Sequence, residues 1–154
     1  MVKHNRLKLF FKDLSSRFKV YRRHRINKYF DERSATGSIN LKQYSDISSP
    51  LPDHLNDYEA VGVLVAFLSS ENTPVPIMYE KYTIHPSWMK RFDETFFLTA
   101  EKAARDFQIM GYSGVSMALL GYCQRVAGLV GRHEYEQRFK DKKNSIVRGR
   151  RRYT

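Results

Sequence analysis

The chain has 154 residues, 27 Lys and Arg against 16 Asp and Glu, and a formal net charge of +11. Its 42% hydrophobic and 14% aromatic content suffices for one modest core and argues against a wholly disordered chain. A single cysteine, Cys123, excludes both an internal disulfide framework and a cysteine-cluster zinc site.

The charge is segregated. Residues 1–34 carry +8, residues 138–154 carry +7, and the stretch between them carries −4. This divides the chain into a basic arm (1–34), a linker (35–57), a body (58–137) and a basic C-terminal tail (138–154). Like charge crowded at both ends resists burial, because each unpaired buried ion costs several kcal/mol. Leu7 to Phe11 is too short and too interrupted by Lys8 for a secretory signal. The longest uncharged run, between Asp106 and Arg125, is too polar for a membrane span of about 20 apolar residues. An intracellular protein without a transmembrane helix is the expectation.

Within the arm, residues 5–30 read as a basic amphipathic helix. Leu7, Phe11, Leu14, Phe18 and Tyr21 recur at helical spacing, with Phe10 on the border of the stripe. Lys8, Lys12, Lys19, Arg22 and Arg23 gather on the adjoining face. The linker holds the small polar run Ser34 to Ser38 and two prolines, Pro50 and Pro52, which oppose helix and central strand. Ile39, Leu41 and Tyr44 are candidate anchors for it.

The body reads as α+β. Ala60 to Leu68 is an apolar run rich in β-branched residues, which predicts a buried strand. A turn over Ser69–Pro74 and a second strand over Val75–Ile84 complete a β-hairpin or short antiparallel sheet. His85 to Trp88 suits a turn or short helical entry, and Glu94 to Leu98 a third short strand. Thr99 is the expected N-cap of a helix reaching Met110, ended by Gly111. Ser113 is the expected cap of a second helix over 114–130. These two helices pack on the sheet. Gly114, Ala118, Gly121 and Gly128 form a small-residue stripe suited to close packing, against the sheet or a second copy of the chain. Glycines cost about 1 kcal/mol each in helix propensity, which asks for a packing reason.

Catalytic motifs fail in turn. None of His4, His24, His54, His85 and His133 pairs with another at zinc spacing. Gly111-Tyr112-Ser113-Gly114 lacks the full nucleophile-elbow pattern and follows a helix rather than a strand. No phosphate loop exists, and Cys123 sits in an apolar helix where a thiol is inert. A non-enzymatic protein without cofactor or metal is expected.

Binding motifs fare better. Lys12, Lys19, Arg22, Arg23, Arg25 and Lys28 in the arm are candidate phosphate ligands. So are Lys142, Lys143, Arg148, Arg150, Arg151 and Arg152 in the tail. Guanidinium groups bond phosphate bidentately, and Tyr21 and Tyr29 are candidates for stacking on unpaired bases. Nothing matches a zinc finger, a ribonucleoprotein sheet motif or a helix-turn-helix. The expected function is therefore that of a nucleic-acid-associated structural or assembly protein, with a charge layout like that of virion or ribonucleoprotein components. RNA or DNA would be its partner, with weak sequence preference, along with further copies of itself or a larger assembly. The alternative is a peripheral, matrix-like protein whose N-terminal helix lies on an anionic membrane surface.

Overall fold

The structure, a computed structural model, describes residues 21–37, 50–68 and 84–152, the last three as backbone only. The described residues contain six helices and no strand: α1 over 21–33, α2 (Asp57–Leu68), α3 (Pro86–Arg91), α4 (Glu94–Ile109), α5 (Ser113–Leu129) and α6 (His133–Arg152). The α+β expectation is thus overturned, and each of its elements fails for a separate local reason.

Ala60–Leu68, read as a strand, belongs to α2. The decisive signal lies just upstream. Asn56 Oδ1 accepts from the Glu59 amide at 2.8 Å, and Glu59 Oε1 accepts from the Asn56 amide at 3.1 Å. This reciprocal capping box satisfies two of the donors a helix start leaves unpaired. Every residue from Glu59 to Val65 is buried. A helix enclosed on all sides shows no polar face, so its periodicity disappears and β-branching is left to mislead. The expected partner strand over Val75–Ile84 lies outside the described residues except for Ile84, which is buried at the entry to α3.

Glu94–Leu98, read as a third strand, is the first part of α4. Its cap is Asp93, not Thr99. Asp93 Oδ1 accepts from the Phe96 amide at 3.0 Å and from the Thr95 hydroxyl at 2.9 Å. Thr99 lies inside the helix and bonds back to the Thr95 carbonyl at 2.8 Å. Gly111 does end α4, with φ of 88°, and Gly131 ends α5 in the same way with φ of 78°. In each case the glycine amide bonds the carbonyl three residues back and the next amide reaches five back: Gly111 to Gln108 and Tyr112 to Phe107, Gly131 to Gly128 and Arg132 to Ala127. These are Schellman closures, which need the left-handed conformation that glycine takes at little cost. They turn the chain within three residues, so α4, α5 and α6 pack as consecutive antiparallel neighbours.

The segment read as a C-terminal tail is instead the greater part of α6. Tyr135, Phe139 and Ile146, spaced by four and seven residues, are buried in the core. Glu134 and Glu136 occupy its first turn and six of its eight Lys and Arg lie from residue 142 onward, an order that suits the helix dipole. The core is markedly aromatic. The Phe97 ring meets Phe92, Phe96, Tyr135 and Phe139 at centroid distances of 5.3–6.4 Å. Buried Ser116 cross-links α5 to α4 by donating to the Ala104 carbonyl at 2.7 Å. Arg91 ties α3 to the start of α2 through the Leu55 carbonyl (2.7 Å) and Asp57 (3.1 Å).

The arm also enters the core. Ile26, Tyr29 and Phe30 of α1 are buried, Phe30 completely. The core therefore extends beyond 58–137 on both sides. No helix among the described residues is long and apolar enough to cross a membrane.

Candidate nucleic-acid interface

The buried face of α1 fixes which side of it meets solvent. Burial of Ile26, Tyr29 and Phe30 leaves Arg22, Arg23, Arg25 and Lys28 exposed, together with Tyr21 at 58% exposure. Tyr21 is the one described member of the apolar stripe expected over Leu7 to Tyr21, and it faces solvent. Leu7, Phe10, Phe11, Lys12, Leu14, Phe18 and Lys19 lie outside the described residues.

Tyr29 is a core residue and not a stacking platform. Its hydroxyl donates to Asp106 Oδ2 of α4 at 2.7 Å. The Arg33 guanidinium lies 3.7 Å from its ring centroid, while Phe30 and Phe107 pack within about 5 Å on other sides. Burial, reinforced by the hydrogen bond to Asp106, pushes the phenol well above its ordinary pKa. No aromatic face is left for a base.

Tyr21 is different. The Arg25 guanidinium is 5.9 Å from the Tyr21 ring and 6.0 Å from the ring of Tyr112, in the α4–α5 turn. Tyr112 carries no capping hydrogen bond, although it occupies the N-cap position expected for Ser113. It was not singled out by sequence. Exposed Ile109, 78% accessible, stands at the end of α4 on the same corner.

The basic residues of α6 divide into two groups. Glu101 of α4 takes Arg138 in a bidentate pair at 2.5 and 2.6 Å and Lys142 at 3.7 Å. Lys142 is thus partly neutralised. Lys143 is half-buried, its Nζ lying over Gly121. Arg148 is exposed. Among the described residues Arg22, Arg23, Arg25, Lys28 and Arg148 form no ion pair with a carboxylate. The side chains of Arg150, Arg151 and Arg152 lie outside the description, but their backbone continues α6.

The small-residue stripe is split by its surroundings. Gly114 and Ala118 are exposed. Gly121 and Gly128 face the side-chain ends of Lys143 and Glu136 of α6. The surface they meet is the basic helix of the same chain, not a sheet.

No group of three His, Cys, Asp or Glu among the described residues is placed to hold a metal ion. Cys123 is fully buried, and burial alone raises its thiol pKa far above the ordinary value, which keeps it protonated and unreactive. Compared with protein-family models, with curated proteins and with solved structures, the chain matches none.

Proposed function

We propose that this protein is a non-enzymatic nucleic-acid-associated structural or assembly protein that binds phosphate through its two basic segments. The observation that carries this reading is the set of exposed guanidinium and ammonium groups at Arg22, Arg23, Arg25, Lys28 and Arg148, none of them held by a carboxylate among the described residues. Leaving such charges unpaired destabilises the fold through mutual repulsion. Elsewhere the fold does pair cations, as Glu101 with Arg138 and Lys142 and Asp57 with Arg91 demonstrate. An external polyanion supplies what the unpaired set lacks. The contacts are to phosphate, so affinity falls steeply with salt and sequence preference is weak.

The test is purification of the full chain without nuclease, followed by the absorbance spectrum of the bound fraction over a salt series. Co-purifying nucleic acid released by salt is expected. Absence of nucleic acid at low salt, with binding to vesicles containing phosphatidylserine, would move the protein to the membrane-surface class instead.

A further inference from the structure

The exposed face of α1 carries an ordered set of groups rather than a scatter of charge. Tyr21, Arg25 and Lys28 follow one another at spacings of four and three residues, which puts them on one stripe of the helix. All three are exposed, and the stripe runs about 10 Å along the helix axis at 1.5 Å per residue. Its middle member has two aromatic neighbours. The Arg25 guanidinium is 5.9 Å from the ring centroid of Tyr21 and 6.0 Å from that of Tyr112. The two rings differ in their surroundings. Tyr112 is partly buried and packed against the core, so its ring is a fixed backing for the guanidinium. Tyr21 is 58% exposed, so its ring keeps area open to solvent with Arg25 beside it. Burial of Ile26, Tyr29 and Phe30 anchors α1 beneath the stripe. Among the described residues neither Arg25 nor Lys28 forms an ion pair with a carboxylate. Glu32, one turn beyond Lys28, pairs with Arg33 instead, at 3.9 Å.

We infer that this stripe is a site for an unpaired nucleotide of a single strand. The base stacks on Tyr21, Arg25 and Lys28 take the flanking phosphates, and Tyr112 holds Arg25 in position. The inference rests on the function proposed above and adds the form of the ligand. Phosphates are common to single strands and duplexes, so cations alone do not choose between them. An accessible base face is not common to both. A duplex covers its base faces by stacking, whereas an unpaired base offers a π-face to an exposed ring beside a cationic surface. The guanidinium suits the middle position, because its planar fork bonds phosphate bidentately and also packs flat on an aromatic ring. An ammonium group in its place keeps the charge and loses the plane. An arginine already seated on Tyr112 gives up less side-chain freedom on binding than one free in solvent. Tyr112 is therefore a positioning residue, acting through Arg25.

The experiment is fluorescence anisotropy of the full chain with three labelled ligands. These are an oligothymidylate of about ten nucleotides, within the site sizes such surfaces span, an abasic strand of the same length, and a duplex of the same length. The abasic strand keeps the phosphates and lacks the bases. The parent should prefer the oligothymidylate to the abasic strand about five-fold or more. Tyr21→Ala should lose most of that preference, with its salt slope and its duplex affinity unchanged. Arg25→Gln should flatten the log–log salt slope by up to about 0.7, the value per contact on single strands, whereas Arg25→Lys should keep the slope. Tyr112→Leu should reduce the preference with helix content unchanged by circular dichroism. Because the preference compares two ligands on one protein preparation, a fall in the folded fraction leaves it unmoved. Equal affinity of the parent for the oligothymidylate and the abasic strand would overturn the stacking site while leaving phosphate binding intact. So would full preference in Tyr21→Ala, or an equal loss of duplex binding in that variant. Full preference in Tyr112→Leu would overturn the positioning role. Failure of the parent to bind any of the three ligands at low salt would instead defeat the underlying functional proposal.

Discussion

Phe30→Ala tests whether the described part of the N-terminal arm is integral to the core. Phe30 is fully buried, with ring centroids of Tyr29 and Phe107 at 5.1 and 5.7 Å. Truncation removes the transfer free energy of the ring and leaves a cavity between α1 and α4, for a combined loss of about 3–5 kcal/mol. At about 2–4 °C per kcal/mol for a chain of this size, the melting temperature should fall by roughly 6–20 °C. Urea denaturation followed by the fluorescence of Trp88, the sole and deeply buried tryptophan, reads the change directly. Arg22→Ala, exposed one turn or more from the buried face, is the control and should stay within about 0.5 kcal/mol. Should Phe30→Ala not fold, Tyr29→Phe offers a gentler probe, since it deletes only the hydroxyl given to Asp106, a loss of about 1.5–3 kcal/mol for a bond to a charged group. A change below about 1 kcal/mol in both variants would refute docking of α1.

The remaining predictions concern single contacts. Asn56→Ala breaks the capping box of α2 and should cost about 0.5–2 kcal/mol in chemical denaturation. Gly121→Ala should be neutral or stabilising by up to about 1 kcal/mol, because the helix gains propensity and the flexible end of Lys143 can move aside; a clear destabilisation would show that the α5–α6 approach is tighter than described. The raised phenol of Tyr29 favours the protonated form in the folded state, so its contribution is complete below the ordinary tyrosine range near pH 10 and is lost as pH rises above it. Tyr29→Phe should therefore flatten the alkaline fall in stability measured by thermal melts. Cys123 should resist thiol reagents in the folded protein and react at the rate of unfolding, which timed labelling in urea would follow.

The charge-bearing surface was more legible than the fold. Arg22, Arg23 and Arg25 had to stay in solvent because no local acid or apolar sequence context could bury three guanidinium groups, and they do. Tyr29 was misassigned because nothing local shows that it turns inward together with its neighbour Phe30; its partners, Asp106 and Phe107, are distant in sequence. The helix α2 was legible in Asn56 and Glu59, yet the β-branched run that follows carried more apparent weight than a cap four residues long. Tyr135, Phe139 and Ile146 stood in plain helical spacing, but their sparse apolar stripe was submerged in charge. Gly131 carried the same helix-ending signal as Gly111, and reading both would have predicted the α4–α5–α6 hairpins.

The two glycine-closed turns also bear on the order in which the molecule assembles. Because α4, α5 and α6 follow one another through three-residue connections, their mutual contacts close short loops and forfeit little chain entropy. The Tyr29–Asp106 bond joins residues 77 apart and closes a far longer one. A nucleus of the three C-terminal helices is therefore expected to form first, with α1 docking onto the finished surface of α4. During synthesis this order runs against the direction of the ribosome: α1 emerges first and finds its seat last, when the helices that build the seat have been made.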